Sequence, residues 1–580
     1  MATGKIRSFD YTASQNPPIL HRKETLLPPN HPRVPEYTAL TRAEEAEGLY
    51  QNPKIIGFKR NWETLLAEKG LAYDDHTLIH TAPAPQPAPP VPVHREKTAI
   101  TRYNLSRPLR TVFENSLATP DTTFFDFGCG QGGDLKGLAG MGYAAEGWDP
   151  AYRPDVSKSP ADIVNLGYVL NVIDDPLERT AVLHEAFGLA RRLLVVSAMI
   201  APAGAPPQGR RYKDGILTQK NTFQKYFQQD ELRQFIEDAL HASAVAAGPG
   251  IFYVFREVQE QQAFLSERSR RNIDWTGLSR KLYPERPKKT AADILYDTHS
   301  ELLDVFFASV LQFGRSPREN EFDRYEEFRQ KIGTPGRGVK LFIRKFGAEP
   351  LDQAAQARRE DLLVYLALVH FRKPAPLSQL PPSLKTDIKT FVGPYKQALT
   401  QGRDLLFQAG DPAVIAAYCR RMSFGHRDRQ ALYVHQNLLN DLPPVLRVYV
   451  GCAGVLYGDL RIADIIKIHQ HSGKVSLLRF DDFENKPLPE LQERIKIDLR
   501  RQEVFIFDHT TGPDRQLLYF KERFVARDHP LREKWETFGR KLQKALGLDP
   551  ETIGYGPTKT EYLNMLQERN LTAGLNRRRV

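Results

Sequence analysis

One stretch, from Phe124 to Pro150, constrains the fold more strongly than any other part of the sequence. Phe124-Phe-Asp-Phe127 is a short apolar run of the kind that forms a buried parallel strand. It leads into Gly128-Cys-Gly-Gln-Gly-Gly133, whose glycines permit a tight turn and let backbone N–H groups approach a ligand closely. A helix is predicted from Asp134, and a second apolar run ends in Asp149-Pro150. Strand, glycine loop, helix and strand in this order predict an α/β fold with a nucleotide-type cofactor at the loop.

Two cofactor classes fit this pattern. A nicotinamide or flavin site uses G-x-G-x-x-G with an acidic residue about 20 residues later, a spacing that Gly128, Gly130, Gly133 and Asp149 satisfy. Asp126, two residues before the first glycine, favours the other class, because Asp126 to Gly132 resembles the D/E-x-G-x-G-x-G signature of class I S-adenosylmethionine (SAM) methyltransferases. That resemblance implies that Asp126 and the loop hold the methionine part of SAM and that Asp149 holds the ribose. A glycine-rich turn without a ligand is the remaining alternative. The predicted cofactor-binding residues are Asp126, Gly128, Gly130, Gln131, Gly132, Asp149, Pro150 and Leu166.

Length and composition set wider limits on the number of domains, the partners and the location of the protein. At 580 residues the chain is too long for one core, and about 150 residues per domain predicts three or four units. Lysine plus arginine exceed aspartate plus glutamate by 81 − 70 = 11, which suits a nucleic-acid partner without requiring one. No apolar run is long enough to span a membrane, and the N-terminus has no apolar signal region. Cys129, Cys419 and Cys452 are too far apart for a metal site, and so few thiols predict a cytoplasmic protein.

The segment after Asp149 departs from the usual class I order. Only residues 150–160 precede the next strand, too few for a crossover helix and a third strand. The usual third strand is therefore predicted to be missing, together with the acidic residue that contacts the adenine amine in that family.

The fourth strand and the turn after it are predicted within residues 162–176, and Asn165 and Tyr168 are the predicted catalytic residues. They keep the spacing of the N-P-P-Y motif of DNA amino-methyltransferases without its prolines, so Asn165 would accept a hydrogen bond from a target amine and Tyr168 would stack on its ring. Tyr168 is equally consistent with a core residue, and the segment also resembles D-x-V-x-x-x-x-V-L of small-molecule and RNA methyltransferases. It contains no cysteine nucleophile, which favours an amine or similar acceptor.

The two ends of the chain resemble each other. Phe9-Asp-Tyr-Thr12 matches Phe507-Asp-His-Thr510 at an offset of 507 − 9 = 498. Lys23 falls on Lys521 and Tyr37 on Trp535 at the same offset, and the match continues with small slips. Several matches in register predict an internal duplication whose two copies share one small fold.

The predicted fold class is α/β: a Rossmann-like class I methyltransferase core without the third strand, a mostly helical α+β second domain and duplicated small terminal units. Strands of the second domain are predicted at Leu446–Val450 and Lys474–Phe480. The predicted boundaries are an N-terminal repeat unit at 1–80, a proline-rich linker at 81–93, the methyltransferase domain at 94–260, a basic linker at 261–290, the second domain at 291–504 and a C-terminal repeat unit at 505–580.

The basic linker interleaves cations with aromatic residues. Basic groups that pair with phosphates and rings that stack on bases are what a nucleic-acid contact uses. A solvated linker fits the same composition. The candidate nucleic-acid-binding residues are Arg268, Arg270, Arg271, Trp275, Arg280 and Lys281.

Several blocks together resemble one family, the DNA phosphorothioation-associated methyltransferases. The blocks are His94-Arg-Glu-Lys-Thr-Ala-Ile100, Leu105-Ser-Arg-Pro108, Phe125-Asp-Phe-Gly-Cys-Gly130, Gly147-Trp-Asp-Pro150, Val164-Asn-Leu-Gly-Tyr-Val-Leu-Asn-Val172, Ala431-Leu-Tyr-Val-His435 and Leu442-Pro-Pro-Val-Leu-Arg-Val-Tyr449. Asn16-Pro-Pro-Ile-Leu-His-Arg-Lys-Glu24 resembles a block that family members carry after the second domain, so its place ahead of the core is a departure.

This resemblance implies SAM-dependent methylation of DNA, with a base amine as the acceptor, beside a bacterial phosphorothioation or restriction system whose proteins would be partners. The alternatives are a SAM-binding accessory or sensor protein with little turnover, and an RNA or small-molecule methyltransferase.

Overall fold

The chain divides into two compact units, residues 1–93 and 94–580. The computed structural model describes residues 17–50, 56–81, 93–99, 102, 104–203, 209–271, 273, 291–510, 514–550, 556–572 and 575. No helix within these residues is long and apolar enough to cross a membrane.

The first unit has its own small core. Its regular elements are α1 (Val34–Ala46), α2 (Lys59–Glu68) and a hairpin of β1 (Leu71–Asp74) and β2 (Thr77–His80). Trp62, Leu66 and Leu71 are buried together, and the buried carboxylate of Glu44 accepts a hydrogen bond from the Tyr73 hydroxyl at 2.5 Å.

The second unit begins with a six-stranded sheet between helices. Its elements are α3 (Arg107–Glu114), β3 (Phe124–Phe127), α4 (Gly133–Gly140), β4 (Ala145–Trp148), β5 (Ala161–Gly167), α5 (Pro176–Leu189), β6 (Ala190–Ser197), a small sheet of β7 (Arg210–Tyr212), β8 (Gly215–Leu217) and β9 (Phe223–Gln224), then α6 (Gln229–Leu240), β10 (Ala244–Gly248), β11 (Ile251–Phe255) and α7 (Val258–Arg268). The strand order is β10-β11-β6-β5-β3-β4, with β4, β3, β5 and β6 parallel and β11 and β10 antiparallel. Apolar clusters cover both faces of the sheet, as expected for parallel strands.

The predicted absence of a third strand is confirmed for this part of the chain. Residues 149–160 are all described, and they contain turns and one isolated bridge but no strand. β4 is therefore the edge of the sheet.

The second domain is helical first and then a sheet. Its helices are α8 (Ala291–Thr298), α9 (Ser300–Phe313), α10 (Tyr325–Lys331), α11 (Pro335–Phe346), α12 (Glu349–Leu368), α13 (Pro382–Phe391), α14 (Tyr395–Gly410) and α15 (Pro412–Arg421). Then come β12 (His426–Arg427), β13 (Ala431–His435), α16 (Pro444–Tyr457), β14 (Ile465–His469), β15 (Lys474–Phe480), β16 (Leu491–Asp498) and β17 (Glu503–Asp508). The strands form one antiparallel sheet in sequence order.

Of the two strands predicted in this domain, one is confirmed and one is wrong. Lys474–Phe480 is β15, but Leu446–Val450 lies inside helix α16. Short β-branched runs do not distinguish a strand from a buried helix. Here Pro443 and Pro444 begin a helix that is apolar on nearly all sides because it is packed between the sheet and helices α12 and α14. β17 also crosses the predicted boundary at residue 504.

The C-terminal repeat unit contains α17 (Arg532–Leu546) and α18 (Lys559–Glu568), and its order of helices agrees with that of the first unit over the described residues. Arg22 and Phe520 both adopt left-handed backbone angles, with φ of 50° and 53°, ahead of a short 3-10 helix. α1 and α17 begin 532 − 34 = 498 residues apart, the predicted offset. The Phe9–Thr12 match lies outside the described residues.

The repeats also share a tertiary contact. The Lys23 ammonium lies 5.2 Å from the Tyr37 ring centroid, and the Lys521 ammonium lies 4.2 Å from that of Trp535. Both units therefore contain the same left-handed turn, short 3-10 helix, following helix and cation–π contact.

Buried polar contacts join the core built on the six-stranded sheet to the second domain. Asp361 on α12 accepts hydrogen bonds from Arg271, just after α7, at 2.7 Å and from Arg447 on α16 at 2.8 Å. The Tyr365 hydroxyl donates to Gln262 on α7 at 2.7 Å. Buried ion pairs and hydrogen bonds thus connect the core and the second domain, and we expect the two to fold cooperatively.

Candidate active site

The glycine loop has the geometry that its sequence predicts. Gly128, Gly130 and Gly132 have φ of 82°, 51° and 75°, the left-handed region that side chains rarely adopt. A Cβ on Gly128 would lie 2.4 Å from Cγ2 of Val169, just after strand β5. Glycine is thus required here both for backbone conformation and for space.

Asp126, near the end of β3, is a buried carboxyl beneath this loop. It is 5 % exposed and accepts a hydrogen bond from Nδ2 of Asn165 at 2.8 Å. Burial and then the charge of Asp134 raise the pKa of Asp126 to about 7, with Asp149 adding to the rise and Asn165 and Arg102 opposing it. Asp134 and Asp149 thus lie near enough to disfavour the charged form of Asp126, although the Asp134 carboxylate is itself 3.6 Å from the Arg102 guanidinium.

Asn165 has a different position from the one that the sequence predicts. In the β3–β5 pairing it lies directly opposite Asp126, and it is 3 % exposed. Its amide nitrogen is held by Asp126, and its buried Oδ1 has no hydrogen-bond partner in the described structure. Asn165 therefore lies beside the glycine loop, where it orients Asp126, and its contact with a methyl acceptor stays a prediction.

Asp149 organises the turn that follows β4. Its Oδ2 accepts from the N–H of Gly130 at 2.9 Å, and its Oδ1 accepts from those of Ala151 at 2.9 Å and Tyr152 at 3.1 Å. A carboxylate has about four lone-pair sites, so at least one remains for a ligand hydroxyl. Pro150, next in the chain, is exposed.

The other two predicted cofactor residues differ in exposure. Gln131 is exposed at the tip of the glycine loop. Leu166 is fully buried in the apolar cluster on one face of the sheet, so only its backbone could contact a cofactor.

Tyr168, the other predicted catalytic residue, lies at the carboxyl end of β5. It follows β5 with a left-handed φ of 61°, and its N–H donates to the Ser197 carbonyl at the end of β6 at 2.9 Å. The Arg102 guanidinium lies 5.6 Å from the centroid of its ring. Burial raises the pKa of Tyr168, while Arg107, Arg102 and Arg110 oppose the rise. A strained backbone held at the carboxyl end of a strand is common at functional sites.

The second domain reaches this edge of the sheet, which the sequence did not reveal. A Cβ on Gly458, just after α16, would lie 2.4 Å from the backbone N of Gly248 at the end of β10. The N–H of Ala203, six residues after β6, donates to the Ile506 carbonyl of β17 at 2.8 Å. Tyr457 is fully buried here, and Arg107 is close enough to oppose the rise in the pKa of its phenol. The residues that make these contacts form no recognisable sequence motif.

Three arginines at the start of the predicted basic linker donate hydrogen bonds to other segments of the protein. Arg268 donates to the Ala246 carbonyl at 2.9 Å, Arg270 to the Gln312 carbonyl at 2.6 Å, and Arg271 to Asp361 and the Ala357 carbonyl at 2.7 Å each. The nucleic-acid contact predicted for these three residues is therefore corrected, because their guanidinium groups join protein segments instead of forming a free basic surface. Trp275, Arg280 and Lys281 lie outside the described residues.

Neither a thiolate nor a metal cluster is found in the described residues. Burial, followed by the charges of Asp126 and Asp149, raises the pKa of the Cys129 thiol to about 12, so it stays protonated at neutral pH. No group of three or more His, Cys, Asp or Glu side chains within these residues could hold a metal ion.

Comparison with known proteins shows distant likeness at the level of structure. No family model matches the sequence, and no curated protein matches it. Among solved structures, the chain is similar to magnesium protoporphyrin IX methyltransferase (ChlM) from Synechocystis PCC 6803 with bound SAH, at 16 % identity and a TM-score of 0.18. The match covers 26 % of this chain and 80 % of that chain. A likeness this distant does not support a function, which is argued below from the geometry of the site.

Proposed function

We propose that the core is a SAM-dependent methyltransferase that acts on DNA, with a base amine as the acceptor, in a bacterial DNA modification or defence system. The observation that carries the SAM assignment is the group of three carboxylates at the glycine loop, Asp126, Asp134 and Asp149. SAM carries an ammonium and a sulfonium beside one carboxylate, so its net charge is positive, and a cationic group near these carboxylates favours their charged forms. A dinucleotide would bring an anionic pyrophosphate to the same place, where the carboxylates would repel it.

The residues present fit SAM in more detail. Asp126, desolvated and oriented by Asn165, offers a buried acceptor to the ammonium, and the unpartnered Oδ1 of Asn165 offers a second. Asp149 is placed for the ribose, as the resemblance to class I methyltransferases implies. When bound, SAM supplies an electrophilic methyl group on its sulfonium.

The protein's part in the reaction is to position the acceptor and exclude water. Tyr168, held in a strained conformation, offers its ring to the acceptor base, with Arg102 beside it. The protonated Cys129 thiol fits a direct transfer to an amine and not one that needs a cysteine nucleophile. DNA as the substrate rests on the family resemblance and on the net charge of +11.

The affinity for SAM is expected to rise with pH up to about 7 and then to level off. Below the pKa of about 7, Asp126 is protonated, and a cation that needs its carboxylate loses affinity by up to about tenfold per pH unit. Calorimetric titration of SAM between pH 5.5 and 7.5 measures this slope. Asp126→Asn, which keeps the shape and removes the charge, should flatten it; the same slope in that variant would contradict the role of Asp126.

The function itself is tested by transfer of radiolabelled methyl from SAM to plain DNA, phosphorothioate DNA and tRNA. We expect label on DNA, reduced by about 5- to 150-fold in Tyr168→Ala, the range that one stacked base represents. The Tyr168→Phe variant keeps the ring and should retain most of the transfer, and both variants should bind SAM. Label on tRNA alone would reject DNA as the substrate, and SAM binding with no label on any acceptor would support the accessory role instead.

A further inference from the structure

The antiparallel sheet of the second domain has two unlike faces. On one face Ile466, Leu477, Ile495 and Val504 are packed in the large apolar core with the helices. On the other face, one row across five strands pairs Tyr433 with Lys467, Lys467 with Ser476, Ser476 with Lys496 and Lys496 with Phe505. The side chains of this row stand on the face opposite the helices because side chains alternate along a strand.

Basic and aromatic side chains continue into the next row of this face. Arg494 is paired with Phe507, two residues along from Lys496 and Phe505. The C-terminal repeat unit covers the part of the face around Tyr433 and Leu478, where Phe524 and Trp535 are packed. The remaining part, here named the open face, consists of Lys467, Arg494, Lys496, Phe505 and Phe507.

The open face is positively charged and partly desolvated. The Arg494 guanidinium lies 4.6 Å from the Phe507 ring centroid, and the Lys467 ammonium lies 4.8 Å from that of Tyr433. Burial and then the nearby Lys467, Lys496 and Lys474 lower the pKa of His469 to about 4. Among the described residues, neither Arg494 nor Lys496 has a carboxylate within ion-pair distance, whereas Lys474 is paired with Asp498 at 3.5 Å. Asp428 lies near Lys467, and Asp498 and Glu503 stand in the next row of this face, so the uncompensated positive charge is that of Arg494 and Lys496.

We propose that the open face binds a single-stranded segment of nucleic acid, with phosphates at Lys467, Arg494 and Lys496 and bases stacked on Phe505 and Phe507. Proteins bind single-stranded nucleic acid with cations along its backbone and with partly exposed aromatic rings for its bases, whereas bases in a duplex are already stacked. The edge strand β17, which carries both phenylalanines, is hydrogen-bonded to Ala203 beside the candidate active site. This proposal deepens the proposed function and rests on it, since a base must leave its duplex before its amine can be methylated.

Fluorescence anisotropy with the full chain tests the open face without SAM. The probes are labelled oligothymidylate of about 20 nucleotides, matching oligouridylate and a duplex of equal length, a size that covers one or more single-strand sites. We expect Arg494→Gln combined with Lys496→Gln to weaken single-strand binding at least tenfold and to reduce the salt slope by about 1.4, or about 0.7 per lost phosphate contact. Phe505→Leu combined with Phe507→Leu should weaken it about tenfold or more through lost stacking.

The matched control removes the same charge elsewhere. Lys389 and Lys396 are exposed on or near helices of the second domain, and Lys389→Gln with Lys396→Gln should leave the affinity within about twofold. Circular dichroism and thermal melting check that all variants fold. Wild-type affinity in both open-face variants would overturn the proposal, as would tighter binding of duplex than of either single strand.

The failure of this proposal can be told apart from that of the proposed function. If the open-face variants bind nucleic acid like the wild type while methyl is still transferred, the open face is wrong and the methyltransferase stands. If no acceptor is labelled but the variants lose single-strand binding, the open face stands and the methyltransferase falls. Oligothymidylate and oligouridylate distinguish DNA from RNA as the bound strand.

Discussion

Replacing Asp361 with alanine is expected to lower the free energy of unfolding of the second unit by about 3–5 kcal/mol, the usual cost of removing one member of a buried ion pair. Asp361 is 5 % exposed and is the shared acceptor of Arg271 and Arg447, whose side chains are 14 % and 7 % exposed. Alanine would leave two guanidinium groups partly or fully buried without this counter-charge. Urea denaturation followed by tryptophan fluorescence measures the change.

Asp352 provides the control for this experiment. It lies on the same helix, α12, but is exposed at its first turn, so Asp352→Ala should cost less than about 1 kcal/mol. Equal losses in the two variants would show that Asp361 contributes only as a helical residue. Because Asp361 links the segment after α7 to α16, its loss should also make unfolding of the core and the second domain less cooperative.

The second large effect is expected on the affinity for the proposed cofactor, SAM. Asp149→Ala should weaken SAM binding by about 10- to 150-fold, which corresponds to about 1.5–3 kcal/mol for hydrogen bonds to a charged group. The variant loses the proposed ribose contact and also the acceptor that fixes the N–H of Gly130 in the glycine loop. Isothermal titration calorimetry with SAM and with NADH measures both affinities.

The control for Asp149 lies in the same turn region. Asp155 is exposed and should be replaceable by alanine without a change in SAM affinity. Unchanged affinity in Asp149→Ala would remove Asp149 from the site, and tighter binding of NADH than of SAM by the wild type would reject the cofactor assignment altogether.

The parts of the site that depend on local sequence could be predicted, and those that depend on strand register could not. The glycine loop and the missing third strand follow from residues close together in the chain. The position of Asn165 depends on its pairing with Asp126, 165 − 126 = 39 residues away, because one residue of slip would turn its amide to the other face. A motif spacing carries no information about that register.

Burial misled the sequence interpretation in two further places. Arg268, Arg270 and Arg271 have the composition of a nucleic-acid contact, but their partners, such as Asp361, are supplied by helices far along the chain. The run Leu446–Val450 has strand-like residues, yet tertiary packing on several sides makes it helical. In both cases the residues that determine the local structure are distant in sequence, so local composition does not reveal them.

The duplicated terminal unit has a consequence for how such a chain can be assembled. Leu518 is fully buried against the neighbouring sheet, whereas its counterpart Leu20 is 59 % exposed, and the surrounding fold is nevertheless the same. The same turn and 3-10 helix therefore occur whether this leucine is buried or exposed. Such a module can be copied by recombination and inserted at another point of a gene before a matching partner surface has evolved. The Asn16–Glu24 block lies ahead of the core, which is the position that insertion of such a copied module would produce.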